Sequence, residues 1–205
     1  MTESTVTVVI VPGLRDHVAE HWQTLLADKL DNTVTVPPLE HDKLSRAARV
    51  AALDDVVNSV DAPVVLVAHS AGVITTVHWA QEATRRVSGA LLATPADLER
   101  RLPQGYPSLE ELERGGWNPI PRQRLPFPNI VAASTNDPLA DPRRVADMAQ
   151  AWGSRLVSVG AVGHLNPAAG YGSWPMAEQL LGELIDGRHL PALDGHCGDE
   201  PRIRS

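Results

Sequence analysis

Aromatic side chains are scarce in this chain of 205 residues, with Trp 5, Tyr 2 and Phe 1. An interior with so few rings has to be built mainly from valine, leucine and alanine. Cysteine is scarcer still: Cys197 stands alone, so no intramolecular disulfide can form and no thiolate cluster is available to hold a structural metal. Basic charge is in deficit as well, with Lys+Arg 18 against Asp+Glu 25 and a net charge of −7. That balance lacks the electrostatic footprint of a nucleic-acid binder. Apolar runs stay far below the roughly 20 residues of a bilayer span. The opening MTESTVTVVIVPG carries an acid and no basic stretch, unlike a secretory leader. These absences leave a cytoplasmic α/β-type domain as the expectation, with no membrane and no nucleic-acid partner.

What is present alternates between two periods. Short β-branched apolar runs fall at residues 6–11, 34–36, 64–68, 90–93, 130–133 and 156–159. Several are apolar on consecutive residues, the mark of strands covered on both faces in a parallel sheet. Helical spacing fills the intervals. Trp22, Leu25, Leu26 and Leu30 share one face, as do Val50, Leu53, Val57 and Val60. Asp141 followed by Pro142 opens a helix whose Val145, Met148, Ala149 and Trp152 align, with Gly153 as its stop. Met176, Leu180, Leu181 and Leu184 form the last amphipathic stretch, closing near Gly187. Strand and helix alternating at this rate predict a parallel sheet with right-handed crossovers in one domain over residues 1–187. Residues 95–128 break the rhythm with seven prolines and are expected to form a small lid or rim, including a short capped helix at 108–114. The polar stretch 188–205 is read as a tail.

Chemistry gathers where strands end. At 64–73 an apolar strand runs through His69, Ser70, Ala71 and Gly72 straight into a helix, leaving no room for an ordinary loop. Such a turn projects its central side chain above the sheet and needs small residues two positions to either side; Ala68 and Gly72 supply them. A serine hydroxyl is a weak nucleophile without a base, and the base needs an orienting acid. Asp137 follows the strand at 130–133, and His164 lies in a glycine-flanked loop after the strand at 156–159. The chain order Ser70, Asp137, His164 is that of α/β-hydrolases. Asp141 competes for the acid role but suits a helix cap better. Developing negative charge on a reacting carbonyl would be met by the backbone N–H groups of Ala71 and Leu14, with Gly13 letting the backbone approach.

These residues resemble the small α/β-hydrolases related to retinoblastoma-binding protein nine. The resemblance rests on residues 11–14 with 21–23, on 68–72, on 125–138 and on 163–175, in that order. It implies a three-layer α/β-hydrolase fold with a mostly or fully parallel six-stranded sheet and a minimal cap. It also implies a Ser70, Asp137, His164 triad with no metal or organic cofactor, and broadly esterase-like activity.

The expected reaction is cleavage of a small ester, thioester or amide through an acyl-enzyme, carboxylesterase-like in kind, at a shallow site suited to short acyl groups. Two other readings stay open: a binding or regulatory protein with a vestigial site, and acyl transfer or C–C bond hydrolysis by the same triad. Around the site, His69 is expected to be structural. For His21 and Trp22, core packing and loop anchoring compete with substrate contact; Asn166 and Tyr171 are expected to shape the His164 loop. Trp117 is the aromatic expected either to face a ligand or to anchor the insertion. Cys197 lacks partners for nucleophilic chemistry. The partner is a small-molecule acyl substrate, and homo-oligomerisation stays open.

Overall fold

The computed structural model describes residues 6–187, so Cys197 and the 188–205 tail lie outside the described residues. Six strands form one sheet: β1 Thr7–Val11, β2 Thr33–Thr35, β3 Val64–His69, β4 Gly89–Ala93, β5 Asn129–Ala133 and β6 Arg155–Ser158. Their order is β2-β1-β3-β4-β5-β6, and every neighbouring pair is parallel. All six predicted runs are strands, displaced by a residue or two at their ends.

The helices are α1 Trp22–Ala27, α2 Arg46–Ser59, α3 Ala71–Trp79, α4 Leu109–Arg114, α5 Pro142–Trp152 and α6 Pro175–Ile185. Successive side chains of a strand point to opposite faces, so each central strand feeds two apolar layers. Val9, Val11, Leu66, Ala68 and Leu92 pack with Leu53 of α2, Ile74 of α3 and Trp152 of α5. Val8, Ile10, Val65, Val67 and Leu91 pack with Trp22 of α1 and Leu181 of α6. β3 and β4 are buried along their whole lengths, as consecutive apolar residues require of strands between two helical layers. This is a three-layer α/β-hydrolase fold.

Local signals explain most helix ends. Asp141 accepts the Arg143 N–H at 2.8 Å, Pro142 takes the first helical position, and Gly153 closes α5 with φ 68°. Ser108 and Glu111 cap α4 reciprocally. Two expectations need correction. α1 ends at Ala27, so Leu30 lies beyond the helix. In α6 the buried position belongs to Ala177, and Met176 is exposed.

Residues 94–128 are far better packed than their proline content predicts. Leu112, Trp117, Ile120, Leu125 and Phe127 join the core on the α2, α3, α5 face. The Trp117 indole N–H donates to Leu44 O at 2.7 Å, and that of Trp152 to Pro121 O at 2.8 Å. All five tryptophans are buried, so the scarce rings serve as core anchors.

Candidate active site

Parallel strands that start together also end together, so the loops after β1, β3, β4, β5 and β6 meet at one sheet edge. Ser70 stands between β3 and α3 with φ 59° and ψ −125°, a conformation that costs an L-residue about 1–3 kcal/mol and persists only where its surroundings enforce it. The enforcement is visible. The Ser70 N–H donates to Ala93 O at 3.1 Å, tying the turn to β4. The start of α3 lies against the end of β1, where a Cβ on Gly72 would sit 2.2 Å from Val11 O. Only glycine fits there.

His164 is 4% exposed, in the loop after β6. Its Nε2 lies 2.8 Å from Ser70 Oγ, and its Nδ1 lies 2.8 Å and 3.0 Å from the two carboxylate oxygens of Asp137. The carboxylate only accepts, so Nδ1 carries the proton and Nε2 of the neutral ring is left to accept from the serine hydroxyl. Asp137 Oδ1 also accepts the Leu139 N–H at 2.8 Å, and the side chain is 3% exposed. Asp141 is a helix cap away from this chain of contacts.

Two further groups hold the backbone of the loop that carries His164. His69 donates its Nε2–H to the His164 carbonyl at 2.9 Å. Asn136 accepts the Gly163 N–H at 2.7 Å through Oδ1, which also takes the Ser134 hydroxyl at 3.0 Å, so the acid loop and the histidine loop are joined. Burial above all pushes the pKa of His69 well below the usual imidazole range, and a proton on His164 or His21 would push it the same way. His21 caps α1 by accepting the Gln23 N–H at Nδ1, 3.2 Å away. Its pKa is lowered to about 4, chiefly by burial and then by His164.

Above Ser70 lies a pocket of about 300 Å³, walled by Leu14, Leu98, Leu102, Tyr106 and Leu139 and also bordered by His21, His69, Ala71, His164 and Asn166. Residues 96–107 build one of its walls. Arg15 lies over the Tyr106 ring at 5.2 Å on the same rim. Leu14 and Ala71 both line the pocket, Gly13 lies against Ser70, and no acceptor among the described residues takes the Leu14 N–H. Ala71 is the first residue of α3, where helix N–H groups have no partner within the helix.

Several sequence-predicted residues stand back from the pocket. Trp117 is fully buried on its anchor to Leu44, away from any ligand. Trp22 is 1% exposed and packs edge-on to Trp174. Tyr171 lies against the α1, α6 layer; Asn166, by contrast, borders the pocket, accepts the Ala169 N–H at 3.0 Å and shapes the turn after His164. Tyr106, Gln23 and Asn136 were missed. Gln23 donates to Val11 O and Val67 O at 3.2 and 2.9 Å, fastening α1 to the ends of β1 and β3. Asn136 sits in the Ser134 to Pro138 motif beside the acid, which was the available signal; nothing in the local pattern marked Tyr106. Among the described residues no group of three or more His, Cys, Asp or Glu side chains is gathered as for a metal, and no helix is long and apolar enough to cross a membrane.

The serine hydrolase family profile matches residues 8–183. The chain belongs to the serine hydrolase family. A candidate YdeN-like hydrolase from Pectobacterium atrosepticum is similar at 31% identity, with 90% of this chain and 93% of that one covered and a TM-score of 0.77. The ydeN gene product of Bacillus subtilis follows at 20% identity, coverage of 89% and 100%, and a TM-score of 0.73. The RedJ thioesterase of Streptomyces coelicolor, at 15% identity and a TM-score of 0.59 over 92% and 91% of the two chains, shares the fold. A search of curated protein sequences returned no match. This serine hydrolase is therefore a member of the α/β-hydrolase superfamily with hydrolytic activity.

Proposed function

We propose that this serine hydrolase cleaves a small ester, thioester or amide through an acyl intermediate on Ser70, with His164 carrying the proton and Asp137 orienting the imidazole. The carrying observation is the unbroken hydrogen-bond chain from the half-buried Ser70 hydroxyl through His164 to the buried Asp137 carboxylate. In acylation the Ser70 oxygen bonds to the substrate carbonyl carbon while His164 Nε2 takes the hydroxyl proton. Asp137 steadies the imidazolium, and the N–H groups of Leu14 and Ala71 stabilise the oxyanion. Collapse breaks the bond to the leaving group, which departs with the proton from His164. Water then attacks the acyl-serine by the same route and frees the acid.

The walls bear on the substrate. A pocket of about 300 Å³ takes on the order of ten non-hydrogen atoms at about 30 Å³ each. Its leucine and tyrosine side chains suit an apolar acyl or aryl group, and a carboxylesterase-like reaction fits them. The finer kinship with hydrolases related to retinoblastoma-binding protein nine belongs to the same proposal and rests on the motifs at 11–14 with 21–23, 68–72, 125–138 and 163–175.

The test is labelling with a fluorophosphonate probe and mapping of the adduct by mass spectrometry. One adduct on Ser70, absent from Ser70→Ala, together with ester turnover, is the expected result. Folded protein that takes no label and hydrolyses no acyl ester across a chain-length series would overturn the reading and leave a binding protein on a hydrolase scaffold.

A further inference from the structure

The Leu14 N–H can stabilise an oxyanion only if its peptide faces the pocket, and the residue before it is glycine, whose backbone rotates with little steric resistance. Something must hold that peptide. The loop after β1 closes a turn in which the Asp16 N–H donates to Gly13 O at 3.1 Å, and behind it stands Arg49 of α2. The Arg49 guanidinium places Nη1 3.4 Å from Gly13 O and 3.1 Å from Asp16 Oδ1, Nη2 3.4 Å from Leu14 O, and Nε 2.9 Å from Lys43 O. Its side chain is 9% exposed and that of Asp16 11%. Arg49 is absent from the walls of the Ser70 pocket and borders a separate small cavity with Val11, Pro12 and Asp16.

We propose that Arg49 is a positioning residue that aims the Leu14 N–H at the reacting carbonyl oxygen, an inference that rests on the Ser70 reading above. In a trans peptide the C=O and N–H point in opposite directions. Drawing the Gly13 carbonyl back toward Arg49 therefore turns the Leu14 N–H away from Arg49, toward the pocket that Leu14 lines. Holding the Leu14 carbonyl fixes the next peptide too, so the unit cannot flip about Gly13. A buried guanidinium is costly unless paired, and Asp16 pairs it. Because the pair is close to neutral, its contribution is orientation rather than field. Arginine suits the task because one planar fork serves four acceptors at once, beyond the reach of a lysine point charge.

The experiment compares wild type, Arg49→Met, Arg49→Lys and Arg49→Ala on an activated aryl ester, with the thermal midpoint of each measured alongside. Loss of one oxyanion donor lowers kcat about 10²-fold or more, so Arg49→Met is expected to lose about that much with KM within about threefold of wild type. Added ethylguanidinium is expected to restore at least a tenth of the wild-type kcat to Arg49→Ala and to leave wild type unchanged. If Arg49→Met does not fold, Arg49→Lys decides: folded protein with kcat down at least tenfold at unchanged KM supports the role. A folded Arg49→Met or Arg49→Lys that keeps kcat within threefold of wild type overturns it, as does a loss that follows only the folded fraction and is not rescued. A wild type that turns over no ester overturns the Ser70 reading and the Arg49 role together; an active wild type beside a fully active Arg49→Met overturns the Arg49 role alone.

Discussion

Two polar networks lie at the same sheet edge, each built on a buried aspartate that follows a parallel strand. Asp97, after β4, meets Arg144 of α5 at 2.9 and 3.2 Å; Arg144 and Arg122 each reach Glu99 at 2.6 Å, and Glu99 also accepts the Ile120 N–H at 2.9 Å. Asp137, after β5, meets His164, and His164 meets a hydroxyl that faces a pocket. The first network is closed. A guanidinium does not give up its proton, and the hydrogen bonds Arg144 donates to Asp97 and Glu99 raise its pKa further. In the second, the ring nitrogen opposite Asp137 faces a hydroxyl whose proton it is placed to accept. A carboxylate at a strand end is therefore a weak functional signal by itself; whether its partner can accept a proton, and what that partner faces, separate an anchor from a site. The two are also joined, since the Asp97 N–H donates to Leu139 O at 3.0 Å while the Leu139 N–H donates to Asp137.

The contrast can be broken or sharpened by substitution. The largest effect is expected from Asp137→Asn, which frees the imidazole to adopt the wrong tautomer and should lower kcat about 10⁴-fold. The control Asp141→Asn should stay within a few-fold of wild type in ester kinetics; if Asp141→Asn alone abolishes turnover, the acid has been misassigned. Asp97→Ala comes next. It removes one of the two carboxylate partners of the partly buried Arg144, leaving Glu99, and should cost about 1–3 kcal/mol of stability in urea unfolding. The kcat of the folded fraction should remain within about tenfold of wild type. A loss of turnover as deep as that of Asp137→Asn, with stability intact, would erase the distinction between the networks. Tyr106→Ala should raise KM for an apolar aryl ester severalfold, about 1 kcal/mol of lost contact, with little change for acetate esters of small alcohols.

The smallest effect concerns Glu99. Its folded pKa lies below the ordinary 4.5, held down by the Ile120 N–H and by Arg144 and Arg122 against the opposing effect of burial. A carboxylate with a lowered folded pKa contributes stability that is present above its unfolded pKa and lost as pH falls through the folded one. Wild type should thus exceed Glu99→Gln in thermal midpoint at neutral pH and lose that margin below about pH 4.5. Solvent screening limits the margin to a few tenths of a kcal/mol. A margin that grows in acid would contradict the charge pairing.

Much of the sheet was legible because its signals are local. Consecutive apolar residues at 64–68 are needed by a strand covered on both faces, and Asp141 with Pro142 and Gly153 marks a helix by backbone chemistry alone. Ser70, Asp137 and His164 were legible for a related reason: each lies just past a strand, and parallel strands deliver their ends to one edge. Trp117 and Tyr106 show where this reading stops. Both lie among the prolines of one insertion, with no period to say which ring turns inward; packing against Leu112 and the Leu44 carbonyl took the larger one, and Tyr106 was left to wall the pocket. For α6 too, packing settled which neighbour turns inward: Ala177 is buried against the sheet and Met176 is exposed.

The sequence by itself determined the alternation of strand and helix, the strained turn at Ser70 and the order of the three polar residues, since these depend on backbone preferences and short-range spacing. The tertiary structure alone decided which contacts join them. Asn136 on Gly163, His69 on the His164 carbonyl and Arg49 behind Gly13 are all meetings of residues distant in sequence, and each depends on how layers pack rather than on any local pattern.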